Sequence, residues 1–205
     1  METCKIKSKI IEWKIVDNKR PQDISQLSAP KRPNELPCDI QKVKVQGEQW
    51  TMFVGLLNGK PYEIFGGLSK YLDLPNKYKA GKIIKNGKVN GLSTYNLSVG
   101  ENDDAMLVKD IANVFENKSY GSFTRLLSLS LRHGTPLQYV VEQLSKDKHS
   151  DLTSFSKVIS RVLKSYIKDG TISTSDKVCP TCKENGLVYE SGCLSCKSCG
   201  YSRCQ

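Results

Sequence analysis

The apolar positions of this chain change their period about halfway along. From residue 39 to residue 66 the spacing is that of strands. Ile40, Val43 and Val45 form an extended run, Gln46-Gly47-Glu48 turns it, and Trp50 to Leu57 is rich in residues that favour pleated backbone. Asn58-Gly59 is a hairpin signal, and Tyr62 to Phe65 returns as a third strand that stops at Gly66-Gly67. The pattern predicts a three-stranded antiparallel meander. From residue 68 to residue 99 the signals thin out. Asn86-Gly87 and Asn90-Gly91 predict short turns between polar strands, the last of which runs from Tyr95 to Val99.

Beyond residue 100 the period becomes helical. Asp103 or Asp104 is placed to cap a helix with Met106, Leu107, Ile111, Val114 and Phe115 on its apolar face. Phe123, Leu126, Leu127, Ser130 and Leu131 continue at helical spacing and end at Gly134. Thr135-Pro136-Leu137-Gln138 supplies a cap, a proline at the first helical position and a glutamine three residues after the cap. Tyr139, Val140 and Leu144 give that short helix a buried face. A last helix is predicted from about Asp151 to Lys168, with Phe155, Val158, Ile159, Val162, Leu163 and Ile167 on one side and Gly170 as its stop. Strands first and helices after predict an α+β domain, helices packed on one face of the sheet. Ahead of it, residues 3–16 alternate imperfectly through Ile6, Ile10, Ile11, Trp13 and Ile15, as a strand with a bulge would. Residues 17–37 hold Pro21, Pro30, Pro33 and Pro37 and read as a linker. The chain thus divides into an N-terminal strand and linker (1–37), an α+β domain (38–170) and a small module (171–205).

That module carries the candidate chemistry. Six of the eight cysteines fall in it: Cys179, Cys182, Cys193, Cys196, Cys199 and Cys204. Two C-x2-C pairs separated by a hairpin-length loop predict a four-thiolate zinc site in a zinc ribbon, with Leu187-Val188-Tyr189 as one strand. Tetrahedral zinc takes four sulfurs, which leaves two. The preferred set is Cys179, Cys182, Cys193 and Cys196, leaving Cys199 and Cys204 as a dithiol that Gly200 allows to close, with Lys197 and Arg203 favouring the thiolate. A second register stays open. Cys196 and Cys199, followed by Gly200, also have the look of a zinc knuckle, and in that case Cys193 and Cys204 are the pair left over.

Composition narrows the field. The net charge of +10 suits an acidic partner. The lysines and arginines are spread along the chain, densest at Lys5–Lys9 and Lys77–Lys88, without the interleaved aromatics of a stacking platform. A basic zinc-ribbon protein that binds nucleic acid is therefore the alternative reading, and it leaves the two surplus thiols without a use. No run of 18 apolar residues predicts a membrane span, the N-terminus lacks the pattern of a signal peptide, and metal-spaced cysteines fit a reducing cytoplasm. The two histidines, His133 and His149, do not assemble a catalytic constellation. His133 suits a helix end, and Cys4 and Cys38 read as ordinary thiols.

Several stretches, in one order, resemble the C-terminal region of adenosylcobalamin-dependent (class II) ribonucleotide reductases: residues 31–37 (KRPNELP), residues 54–67 (VGLLNGKPYEIFGG), residues 124–134 (TRLLSLSLRHG), residues 139–144 (YVVEQL) and the ending from Gly192 to Cys204. The resemblance covers about residues 30–205. It implies a domain of the kind that accompanies the catalytic barrel, with Cys179, Cys182, Cys193 and Cys196 on zinc. It also implies that Cys199 and Cys204 form a tail dithiol that reduces the active-site disulfide left by each turnover. The barrel, which carries adenosylcobalamin and the nucleotide, has no counterpart in this sequence. The expected role is therefore that of a separate small subunit of a ribonucleoside-diphosphate reductase. Its expected partners are the large catalytic subunit and a thioredoxin-type reductant.

Overall fold

The structure is a computed structural model, and it describes residues 29–115, 117–147, 153–174 and 178–204. The expected strand at residues 3–16, most of the 17–37 linker, Cys4, His149 and the predicted start of the last helix near Asp151 lie outside the described residues.

Six strands form one antiparallel sheet: β1 (Glu35–Val45), β2 (Glu48–Leu57), β3 (Lys60–Leu68), β4 (Ala80–Val89), β5 (Leu92–Val99) and β6 (Met106–Val108), in the order β3-β2-β1-β4-β5-β6. The expected meander is β1-β2-β3. Its turns at Gln46-Gly47 and Asn58-Gly59, and the later one at Asn90-Gly91, all have positive φ at both residues. That is the twist a two-residue hairpin loop requires. Asn86-Gly87 does not turn the chain. It lies inside β4, where the register with β5 shifts between Lys85 and Lys88, so the glycine serves a bulge.

Three helices follow, α1 (Lys118–Arg132), α2 (Leu137–Ser145) and α3 (Thr153–Lys164). With two antiparallel sheets, the protein is α+β. The side chains of Trp50, Met52, Val54 and Ile64 leave one face of the sheet and pack with Leu127, Leu131, Val141, Phe155, Val158 and Ile159 from the helices. The opposite face carries Cys38, Ile40, Phe53, Phe65, Ile83 and Leu97 and is covered by Leu74, Ile111 and Phe115 from connecting segments. Both faces of β2 are therefore buried, which explains its almost unbroken apolar run.

The helix expected over Met106–Phe115 does not form. Met106, Leu107 and Val108 instead pair with Val99, Ser98 and Leu97 as β6. A turn through Asp110, whose N–H donates to Asn96 Oδ1 at 3.0 Å, then delivers Ile111 and Phe115 to the second core. Closing the open edge of β5 outweighed a helical spacing with few flanking signals.

The ends of α1 follow local chemistry. Asn117 Oδ1 accepts from Ser119 N at 2.9 Å. At the other end Gly134 has φ +74°, its N–H reaches Leu131 O, and Thr135 N reaches Ser130 O. This is a Schellman close, with His133 in the cap position expected of it. Thr135 is thereby used to end α1 and does not cap α2, where Pro136 stands in the cap position without a side-chain bond. Along α1, Ser128 Oγ accepts from Ile64 N at 3.0 Å, so the helix satisfies part of the outer edge of β3.

Beneath that edge lies a buried charge cluster. Glu63 is fully buried and takes Arg32 on both oxygens, at 2.6 and 2.9 Å, and Arg132 at 3.1 Å. Arg32 lies in the segment that precedes β1, so the cluster ties that segment, β3 and α1 together. Among the described residues no helix is long and apolar enough to cross a membrane.

Candidate metal centre and neighbouring disulfide

After α3 the chain folds into a second, three-stranded sheet of β7 (Leu187–Glu190), β8 (Cys193–Cys196) and β9 (Ser202–Arg203). The expected strand at Leu187-Val188-Tyr189 is β7. Packing and hydrogen bonding continue across the boundary expected near residue 170. Gly170 N donates to Tyr189 O, and Tyr189 N donates to Thr171 O, each at 2.8 Å. Tyr189 and Leu194 are buried in the same core as α3.

Four sulfurs converge in this ribbon, those of Cys179, Cys182, Cys196 and Cys199, all within 4.8 Å of one another. Cys179 and Cys199 lie 3.7 Å apart, and Cys182 and Cys196 3.6 Å. Zn–S bonds of about 2.3 Å in a tetrahedron require sulfurs roughly 3.8 Å apart, so the donor set and its spacing fit zinc.

The two C-x2-C segments are built alike. Lys183 N donates to Cys179 O and Cys179 N to Glu184 O, while Gly200 N donates to Cys196 O and Cys196 N to Tyr201 O. The residue after each second cysteine has positive φ, +62° at Lys183 and +73° at Gly200. Each turn aims N–H groups at its first sulfur. Burial pushes the Cys179 thiol up, but the N–H groups of Cys182 and Thr181 outweigh it and bring the thiol down to about 6. The N–H groups of Cys199 and Ser198 hold the Cys196 thiol below its ordinary value in the same way. The other two go the opposite way: despite an N–H from Glu184, burial and the neighbouring sulfurs push Cys182 up to about 12, and Cys199 is raised too. Without a cation only the first sulfur of each turn is favoured as thiolate, and a divalent cation taken by all four would displace the remaining protons.

Cys193 and Cys204 stand outside the cluster, bonded to each other. Physical reasons separate Cys193 from Cys196. Both lie on β8, three residues apart, and side chains at odd separations on a strand point to opposite faces. Cys196 faces Cys182 and Cys179. Cys193 faces the other way, across from the chain that continues β9. The β8–β9 register pairs Leu194 with Arg203, which brings Cys204 opposite Cys193 with Cα atoms 4.5 Å apart. That is the spacing of a non-hydrogen-bonded antiparallel pair.

The preferred sequence register sets Cys193 among the metal ligands and pairs Cys199 with Cys204. The structure instead brings together the register in which Cys199 joins the cluster and Cys193 pairs with Cys204. The signal was the glycine after Cys199 and its absence after Cys196. Cys38 is buried on the sheet, where burial above all pushes its thiol up, so it suits packing and not exchange.

The comparisons bear on the larger domain. Residues 36–168 match the family described as NrdJ homologue C-terminal domain. The match spans the first sheet and the three helices and ends before the cysteine ribbon. No curated protein and no solved structure matches the chain. The matched residues form well over half of the sequence, so the chain belongs to the NrdJ homologue C-terminal domain family, which relates it to the C-terminal region of class II ribonucleotide reductases.

Proposed function

We propose that this protein is the redox-relay subunit of a class II ribonucleoside-diphosphate reductase. In this reading Cys193 and Cys204 pass electrons to the active-site disulfide of a catalytic barrel on a separate chain, which also holds the adenosylcobalamin. The observation that carries the reading is a cross-strand disulfide beside a closed set of four thiols. Zinc on Cys179, Cys182, Cys196 and Cys199 would keep those sulfurs out of exchange and fix the base of the ribbon.

The exchange balances as two thiol–disulfide steps. In the reduced protein the Cys204 thiolate attacks one sulfur of the barrel's disulfide. A mixed disulfide forms and the barrel's second sulfur leaves as a thiolate, which takes up a proton. The Cys193 thiolate then attacks Cys204 Sγ, the mixed disulfide breaks, and the barrel recovers its second thiol. Two electrons have moved, and the Cys193–Cys204 bond has formed. A thioredoxin-type dithiol reduces that bond by the same chemistry. Cys204 is the attacking group because it is exposed, while Cys193 is half-buried.

The test is a turnover assay with the catalytic barrel and thioredoxin as the only reductant. Changing both Cys193 and Cys204 to Ser is expected to leave about one round of reduction per active site and to abolish further turnover. Dithiothreitol, small enough to reach the barrel directly, should restore it. Normal turnover of the double variant with thioredoxin would overturn the relay, and failure of the chain to co-purify with any such barrel would overturn the subunit role.

A further inference from the structure

The four-sulfur cluster and its disulfide use none of the charge that collects at the far end of the first sheet. There the β1–β2 hairpin and α3 enclose a cleft of about 570 Å³. Four cationic side chains line it: Lys44 from β1, and Lys157, Arg161 and Lys164 from α3. The three on the helix lie at i, i+4 and i+7, so they form one stripe. Like charges at this spacing repel, and the apolar residues of α3 do not require them, since Phe155, Val158, Ile159, Val162 and Leu163 lie on its buried side. Asp147 is the carboxylate among the lining residues, and its Oδ2 already accepts from Ser156 Oγ at 2.8 Å.

The cleft is shaped as well as charged. Arg161 Nη1 donates to Lys44 O at 3.2 Å, which ties the guanidinium to the hairpin and brings the fourth cation alongside. Lys164 forms part of the wall, with 8 % of its surface exposed. Ser145 and Ser160, whose hydroxyls lie 3.5 Å apart, complete the wall.

We propose that this cleft binds a triphosphate chain, either free or as part of a nucleoside triphosphate. Three exposed cations, Lys44, Lys157 and Arg161, in so short a space call for a ligand with several negative charges on adjacent atoms, and a chain of phosphates has that density. A guanidinium and ammonium groups together are the donors that phosphate oxygens take. The volume lies within the range of small-molecule sites. The charges converge in a hollow and do not run along a track, which favours a compact anion over an extended acidic peptide. The site is independent of the cysteine chemistry and stands or falls apart from it.

The experiment is calorimetric titration of the full chain with inorganic tripolyphosphate and, separately, with ATP, at low and physiological salt. Saturable binding that weakens at least tenfold in Lys157→Ala/Arg161→Ala supports the site. Both positions are exposed, and circular dichroism checks that the variant folds. Equal affinities for the two probes assign recognition to the phosphate chain, and tenfold tighter ATP adds the nucleoside. A second basic groove lined by Lys77, Lys79 and Lys82 provides the control, and Lys79→Ala/Lys82→Ala should bind as the parent does. The proposal is overturned by absence of saturable binding. Equal losses in both double variants, or tighter binding of hexaglutamate than of tripolyphosphate, would overturn it as well.

Discussion

Glu63 is the residue on which the most distant parts of the sequence depend. Its two oxygens hold Arg32 and Arg132, and Arg32 also reaches Ile83 O on β4 at 3.2 Å. Gly55 opposite leaves the room this side chain needs, since a Cβ there would lie 2.7 Å from Glu63 Cγ. Removing the carboxylate would leave two guanidinium groups without their buried counter-charge, which typically costs about 3–5 kcal/mol. Glu63→Ala is therefore expected to lower the denaturation midpoint sharply, as followed by circular dichroism in urea. None of this was visible in sequence. A glutamate in a strand followed by Ile64 and Phe65 looks like a solvent-facing position, and its partners lie 31 and 69 residues away.

Among the elements, turns with strong backbone demands were legible and edges were not. Gln46-Gly47, Asn58-Gly59 and Asn90-Gly91 announced their hairpins because positive φ at both positions admits few other residues. The segment around Met106–Val108 misled because a three-residue edge strand carries almost no pattern of its own, while its neighbours Ile111 and Phe115 repeat at helical spacing. The cysteine register was ambiguous for a similar reason. Cys193–Cys196 and Cys196–Cys199 have identical spacing, and only the strand phase of β8 and the positive φ at Gly200 separate them. This makes a sharp expectation. Metal analysis should find one zinc per chain, lost in Cys199→Ser and retained in Cys193→Ser. The reverse result would restore the other register.

On the scale of the molecule, the ribbon is an extension of the helical layer. Tyr189 is almost wholly buried beside α3, and Gly192 lies against the carbonyl end of that helix. Tyr189→Ala should thus cost the whole protein about 3–4 kcal/mol, read as a single shifted unfolding transition. A separate early transition for the ribbon alone would mean that the two parts unfold independently. Firm seating of the ribbon also sets a limit on the chemistry at its tip. Cys199 is held in the sulfur cluster, and five peptide units carry the chain from it to Cys204. Once the Cys193–Cys204 bond is open, that short tether lets the free sulfur sweep a radius of only about 17 Å. Within it the thiol is present at an effective concentration on the order of millimolar, and outside it the concentration is nil. If Cys204 serves the relay proposed above, the disulfide it reduces has to be carried inside that radius, and the docking of the two proteins, not the travel of a long arm, would set how often the exchange occurs.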